Sequence, residues 1–490
     1  MSLIESATAY YHKQLHWGIT RKIQKLFVYI FFSNPICRQI PYLNRIPVFI
    51  FLLTGPGQHI YASWKELVRD IIYVINIDGK TKLDWAERKK KLDRIYKDIR
   101  LHPLQNARLG DLICKAVNRW HDDARRKGSD ILHLYIANSK LGNGRLEKIL
   151  GRTLNLMCNN EESFFWIYYI LHLNKKIHND VIISEWTGAL VWSVPRNEIR
   201  PSWSMQYIVM TDDEEQEGEK KAREMGLTGN FVCISNRDSA YLYKLGCERR
   251  VDNQNAFRDS DINTRADAAR YLSACNIQCV RMGAAVAKRA DFPNCIDYAN
   301  DFYNELMDVW LARHCKFWVS DENGINILPR TMNKRCVITN FTICIHNGFA
   351  AVPLRDDSIY IIKRYKSVKD GRMLTLEEMA KFDKLFLAYT EGGNYDENLF
   401  EKFGIEVVDN TSTEILDAVR EMNERMDGTW TETAEDRELQ GRYQNKLREL
   451  KKQAGCDMDS TVIGLIGTQF LRDHMDLLDH VDSKFMHLCD

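Results

Sequence analysis

The sequence predicts an α/β protein whose back half is a doubly wound parallel sheet, and three observations predict it. Between residues 231 and 341 the short apolar runs FVCIS, IQCVRM, KFWVS and CVITNF alternate with segments of helical pattern over short links. An earlier apolar run, ILHLYIA at 131–137, leads into the loop NSKLGNG, the pattern of a buried strand. Finally, the polar clusters that follow the four later runs all fall on one edge of the expected sheet, where ligands of such sheets sit.

Taken from the N-terminus, residues 1–128 read as a helical extension. The runs 26–32 (LFVYIFF) and 46–53 (IPVFIFLL) are strongly apolar but short, and Pro35, Pro41, Pro47, Arg38, Gln39 and Arg45 interrupt or flank the segment between them. A spanning helix needs about 20 mostly apolar residues, so no transmembrane helix is expected, and no small-residue cleavage site marks a signal peptide. Lys13, Arg21, Lys22 and Lys25 leave two readings open: helices packed on a neighbouring domain, or peripheral contact of residues 1–57 with an anionic membrane face. Trp64, Leu67, Ile71, Ile72 and Ile75 keep helical spacing, and DWAERKKKLDRIYKDIR mixes acids and bases as a solvated helix face does.

A first α/β domain is expected over 129–205, with strands at 131–137 and 181–183 and helices at 145–157 and 163–174. The second is expected over 206–460. It opens with an acidic helix at 212–226, capped by Thr211. Then come strand 231–235, helix 263–274, strand 277–282, helix 301–313, strand 316–320, a loop-helix in DENGINILPRTM, and strand 336–341. Thr411 or Ser412 before Glu414 starts another helix, and charged helices run to about 453. The segment 461–480 reads as a helix and is allotted to the first domain.

Composition narrows the function. The 490 residues are 45% hydrophobic and 28% charged, with a formal net charge of +1, so no global field draws the chain to nucleic acid. The 13 cysteines are scattered and none form CxxC; Cys275 and Cys279 are the closest pair. This pattern fits reduced thiols in a cytosol, and no structural zinc site. A cytoplasmic protein is expected, with the inner face of the membrane as the alternative. Phosphate loops of the GxxxxGK[ST] and GxGxxG types are missing, as is the GxSxG elbow.

The strand ends supply the candidates. A pyrophosphate needs cations, and a guanidinium meets it best. Arg237 and Arg281 provide guanidinium groups, with Ser239, Tyr241 and Gly283 beside them. Ser320, Glu322, Asn323 and Gly324 lie where a helix N-terminus would favour an anion, and Asn340 ends the fourth strand. A base for an alcohol acceptor needs a carboxylate; Asp238 comes first and Asp261 second. Each has a blander reading: Arg237-Asp238 as a local ion pair, Asn323-Gly324 as a turn, Asp261 as a helix cap. Asp259-Ser260-Asp261 has the DxD spacing of some metal sites, a motif frequent by chance, and no metal is assigned to it.

At these residues the chain resembles a family of bacterial glycosyltransferases from surface-polysaccharide gene clusters, itself distantly similar to GDP-fucose-dependent fucosyltransferases. FVCISNRDSAYL (231–242), FRDSDINTRADAARYL (257–272), VRMGAAV (280–286), IDYAN (296–300), LMDVWLARHCKFWVSDENGINILP (306–329), CVITNF (336–341), GIEVVDNTSTEILDAVREMNERMDGTW (404–430) and IGTQFLRDH (466–474) carry it. NSKLGNGRLEKILGRTL (138–154) looks like its first-domain counterpart. The resemblance implies the GT-B architecture of two Rossmann-like domains, a nucleotide-diphosphate sugar bound by the second domain, and transfer to a glycan or other hydroxyl acceptor. It implies no required cofactor or metal, and it puts Arg237 on the donor diphosphate. The chain departs from the family's small residues at 320–324, where Asp321 and Glu322 stand; a nucleotide-sugar-binding scaffold without catalysis is the alternative reading.

Overall fold

A computed structural model describes residues 98–103, 109–110, 112–113, 131–138, 143–152, 156–159, 181–183, 208–244, 256–342, 354–391, 399–453 and 464–479. The chain divides into two compact units, Met1–Ser193 and Val194–Asp490. The apolar runs 26–32 and 46–53, the pattern at 58–97 and the helix expected at 163–174 lie outside the described residues.

The first unit contains β1 (Asp98–Pro103), β2 (Ile131–Asn138), α1 (Gly144–Leu150), β3 (Leu156–Asn159) and β4 (Val181–Ile183). Its sheet is parallel throughout in the order β3-β2-β1-β4. Two expectations are corrected here. DIR, read as the end of the amphipathic helix DWAERKKKLDRIYKDIR, opens the inner strand β1 instead, because pairing with β2 and β4 on both sides outweighs local helical pattern. The helix expected to reach Met157 stops at Leu150, where Gly151 closes it, and residues 156–159 pair with β2 instead.

The second unit opens with α2 (Asp212–Glu224), held at its start by a reciprocal capping box between Thr211 and Glu214. There follow β5 (Phe231–Ile234), α3 (Ala240–Lys244), a 3-10 turn at Ile262–Arg265, α4 (Ala266–Ala274), β6 (Gln278–Arg281), β7 (Cys295–Ile296), α5 (Tyr298–Asp301), α6 (Glu305–His314), β8 (Trp318–Ser320), α7 (Ile327–Thr331) and β9 (Cys336–Phe341). The chain continues through β10 (Ile359–Ile362), β11 (Arg364–Ser367), α8 (Leu376–Glu391), α9 (Leu399–Lys402), β12 (Ile405–Val408), α10 (Ser412–Asp427), α11 (Ala434–Gln453), β13 (Leu465–Ile466) and α12 (Thr468–Asp473).

Seven parallel strands lie in the order β13-β10-β9-β8-β5-β6-β7. From β5 the chain moves outward to β6 and β7, then returns to the other side of β5 and moves outward again through β8, β9 and β10. The direction reverses between β5 and β8, which is the switch point of a doubly wound sheet. The right-handed rule for parallel crossovers assigns α4 and α6 to opposite faces. On one face Asn423 of α10 bonds the Tyr271 hydroxyl of α4 at 3.4 Å, and Arg420 lies over the Tyr271 ring. On the other, Trp310 of α6 stacks on Phe231 of β5. Strands covered on both faces are largely apolar; every residue of β5, β9 and β10 is buried, with Thr339 and Asn340 of β9 the polar exceptions among them.

The C-terminal segment departs from expectation. Residues 464–479, allotted to the first domain on sequence pattern, belong to the second sheet. Leu465 and Ile466 pair with β10, and α12 packs on α10 and α11. Buried Glu421 of α10 ties the segment down by accepting the Thr468 N–H and hydroxyl, each at 2.8 Å. Leu465–Ile466 is apolar but too short for periodicity to separate strand from helix. Beta-strands β10, β11 and β12 were likewise beyond the elements read from sequence; β11 and β12 form a separate antiparallel pair.

Gly464 sets the entry to β13. Its φ of +80 favours glycine, and a Cβ there would meet the Ser358 carbonyl oxygen at 2.5 Å. That oxygen accepts the Leu465 N–H at 2.7 Å. Gly464→Ala is expected to lower unfolding free energy by roughly 1–3 kcal/mol in urea titration, from backbone strain and the displaced β10–β13 pairing.

Candidate functional site

The loop after β5, the segment leading into α4 and the end of β9 converge around one buried carboxylate, Asp321, directly after β8. It is fully buried. It accepts the Arg237 N–H at 3.0 Å, the Thr339 hydroxyl at 2.9 Å and the Asn340 amide at 3.0 Å. It also accepts the Ser260 hydroxyl and is ion-paired with Arg265. A buried carboxylate is tolerated only when paired and hydrogen-bonded, and here each neighbouring loop contributes a donor. The acidic departure at Asp321 is therefore accounted for inside the fold, without a ligand.

Arg265 is the partner that sequence reasoning missed. It is fully buried at the start of α4, and besides Asp321 it donates to the Asp261 carbonyl, the Ser260 and Thr264 hydroxyls and the Thr339 hydroxyl, all at 2.8–2.9 Å. A signal was present: Ile262, Arg265, Ala269 and Leu272 share one helical face, and the structure buries all four. A lone charge on an apolar stripe announces a buried ion pair.

Arg237 stands above this hub. Its backbone is pinned to Asp321, while its guanidinium, 12% exposed, pairs with the Asp259 carboxylate. Ser239 donates its hydroxyl to the other Asp259 oxygen at 2.7 Å. Asp238 accepts the Ala240 N–H at 3.0 Å and the Ala287 N–H at 3.1 Å, and lies 3.8 Å from Arg281. Tyr241 follows in α3 and is half-buried.

Arg281, read as a second diphosphate ligand, is 1% exposed. It donates to the Met282 carbonyl and, at 2.8 Å, to the Asn236 side chain. Burial pulls its pKa down, opposed by Asp238 and Asp297. It clamps the β5 loop to the β6 loop from below. Gly283 follows it at φ +152, where a Cβ would meet Val286 at 2.6 Å and the Arg281 guanidinium at 3.2 Å, so glycine is required for the loop to close over the arginine.

The helix N-terminus expected near Asn323 lies elsewhere. α7 begins at Ile327 and has five residues, with buried Asn326 before it. Asn323 bridges loops instead: its amide donates to the Ser235 hydroxyl at 3.2 Å and the Asn236 carbonyl at 3.3 Å, and its oxygen accepts the Asn326 N–H at 3.1 Å. Glu322 pairs with Arg258 at 3.6 Å. Gly324 is exposed, and Ser320 is fully buried in β8. Asn340, in the left-handed region at φ 51, exchanges backbone-to-side-chain bonds of 2.6 and 2.7 Å with Asn410. Ser320 and Asn340 thus lie beneath the edge and shape it. Asp261 caps the 3-10 turn, and the Lys288 ammonium at 2.7 Å leads in holding its carboxyl below the ordinary value. That favours the capping reading over a base. In the first unit, Asn143 of the LGNG loop caps α1 by accepting the Leu146 N–H at 2.8 Å.

Lys363, just past β10, completes the edge. It is buried and donates to the Phe257 and Asp259 carbonyls at 2.8 Å each and to Asp409 at 2.6 Å, which ties residues 257–259 to the end of β10. Among the described residues no group of three or more His, Cys, Asp or Glu is placed to hold a metal ion, and no helix is long and apolar enough to cross a membrane.

No protein-family model and no curated protein matches the chain. Among solved structures, it is similar to a family 9 glycosyl transferase from Veillonella parvula at 10% identity and a TM-score of 0.37, over 67% of this chain and 97% of that one. It is also similar to the iron-containing dodecameric heptosyltransferase TibC in complex with ADP-D-beta-D-heptose, at 10% identity and a TM-score of 0.28, over 50% and 59% of the two chains. TibC from enterotoxigenic E. coli matches at 10% identity with a TM-score of 0.27, over 50% and 61%.

The hub yields a stability prediction. Asp321→Ala leaves the Arg265 guanidinium buried without its counter-ion and is expected to cost about 3–5 kcal/mol, read as a lower urea midpoint. Asp321→Asn, which keeps most of the acceptor geometry, should cost less.

Proposed function

We propose that the chain is a glycosyltransferase whose nucleotide-diphosphate sugar donor binds at the carboxyl edge of the second sheet, over the β5–β8 switch point. The observation that carries the reading is Arg237: a guanidinium with its backbone fixed to a buried carboxylate and its head at the sheet edge. A bidentate guanidinium suits a diphosphate, and the switch point is where open α/β sheets take nucleotides. The resemblance carried by FVCISNRDSAYL and its companion segments implies the same donor and the same arginine.

In this reading Arg237 meets the diphosphate, and the charge is answered by guanidinium with no metal ion required. Arg281, Arg265 and Asn340 act from beneath, fixing the loops. Asn323 and Ser239 supply polar atoms at the rim, with Tyr241 beside them and Glu322 turned to Arg258. Asp238 takes the base or orienting role next to Arg237, and Asp261 is a cap. The acceptor is a glycan or other hydroxyl compound, of the kind used in surface-polysaccharide synthesis. Peripheral membrane contact through residues 1–57 belongs to the same reading, since such acceptors are commonly presented at a membrane.

One observation favours a second reading, a nucleotide-sugar-binding scaffold without turnover. The carboxylates at the edge are all engaged: Asp238 by two N–H groups, Asp259 by Arg237 and Ser239, Asp261 by Lys288. Release of free nucleoside diphosphate on adding acceptor separates the enzyme from the scaffold. Arg237→Ala is expected to weaken nucleoside diphosphate binding by at least about tenfold, as loss of a charge-assisted bidentate contact does, while cooperative unfolding in urea is retained. Undiminished affinity in that variant removes Arg237 from the site.

A further inference from the structure

Asp259 sits on the guanidinium that the proposed donor site needs. Arg237 and Asp259 are in direct ion-pair contact, with side chains 12% and 23% exposed, so the pair is screened from bulk water but not sealed from it. The same carboxylate accepts the Ser239 hydroxyl at 2.7 Å. Asp259 thereby presents to Arg237 what a phosphate would present: an anionic oxygen at contact distance, with a neighbouring hydroxyl already turned towards it.

The backbone carrying Asp259 is held by other groups. Lys363 grips the Asp259 and Phe257 carbonyl oxygens at 2.8 Å, the Ser260 N–H donates to the Arg237 carbonyl at 3.1 Å, and the Asn236 amide donates to the Ser260 carbonyl at 2.7 Å. None of these bonds involves the carboxylate. The side chain can therefore swing off Arg237 by rotating about its own torsions while the loop stays in place. The Arg237 N–H bond to buried Asp321 at 3.0 Å likewise fixes its backbone at the sheet edge, so the guanidinium stays within reach of an incoming phosphate when the carboxylate turns aside.

We infer that Asp259 is an internal competitor for the donor diphosphate: its carboxylate occupies Arg237 in the empty site, and binding exchanges that carboxylate for phosphate oxygen. The inference rests on the donor-site reading above. It has a definite energetic consequence. A site whose binding-competent state is only part of the population shows an affinity lowered by that fraction, and a carboxylate left beside an incoming diphosphate repels it besides. Neutralising Asp259 removes both effects. Retention of such a residue also serves selectivity: a monoanion of one charge competes poorly with Asp259, whereas a diphosphate displaces it, so the pair discriminates in favour of multiply charged ligands.

The test is calorimetric titration of the full chain with inorganic pyrophosphate and with ADP, GDP, UDP and CDP, on the wild type, Asp259→Asn, Arg237→Ala and the double variant. Asp259→Asn should bind its best ligand about tenfold more tightly than wild type, and the gain should vanish in the double variant. Asp259→Ala, which removes the carboxylate altogether, should tighten binding in the same direction, and serves if Asp259→Asn folds poorly. Affinity in Asp259→Asn equal to or weaker than wild type overturns the inference while leaving the donor site standing, provided Arg237→Ala weakens binding. A gain that persists in the double variant also overturns it, since the effect would then come from general charge. Absence of binding in all the proteins brings down the inference and the donor-site reading together.

Discussion

The second unit depends on one ion pair. Arg265 and Asp321 are both shielded from water, and neither is affordable without the other. The carboxylate draws a donor from each loop that ends near the switch point: Arg237 after β5, Ser260 and Arg265 before α4, Thr339 and Asn340 at the end of β9. A hydrogen-bond network of this kind is strong when complete and costly when any member is missing. Convergence of the loops is thus a consequence of satisfying a single buried charge, and the site above inherits its shape from that requirement.

The polar residues at this edge form two levels. Asp321, Arg265, Arg281, Lys363 and Asn340 are buried, and their hydrogen bonds hold together the loops and strand ends of the edge. Arg237, Asp238, Asp259, Glu322 and Asn323 lie above them, half-buried, with their orientations set from below. Binding sites gain from such support because side chains held in advance lose little freedom when a ligand arrives. Arg237 shows the division within a single residue, its N–H belonging to the lower level and its guanidinium to the upper.

The larger architecture was legible because buried parallel strands leave a plain mark. FVCIS, IQCVRM, KFWVS and CVITNF each became a strand of one sheet within two residues of the expected limits. Thr411 and Glu414, like Thr211 and Glu214, formed the capping boxes their spacing implies. Elements whose identity is set by a distant partner were not legible. β1 follows a charged helical pattern and is a strand only because β2 and β4 flank it; β13 has two residues and exists through pairing with β10. At the candidate site, residue types at the strand ends marked which loops come together, but not the depth at which each side chain lies. Arg237 and Arg281 read alike in sequence, yet one reaches the rim and the other is consumed by Asn236 and the Met282 carbonyl. Asp321 looked like an added charge at the rim because its partner lies 56 residues away along the chain.

A crystal structure of the chain soaked or grown with a nucleoside diphosphate tests the central claim most directly. The account places the two phosphoryl groups at the carboxyl ends of β5 and β8, in contact with the Arg237 guanidinium and within reach of Asn323, with the Arg265–Asp321 pair intact beneath. A nucleotide bound at the opposite edge of the sheet, or on this edge with Arg237 still closed on Asp259 and remote from the phosphates, would contradict it.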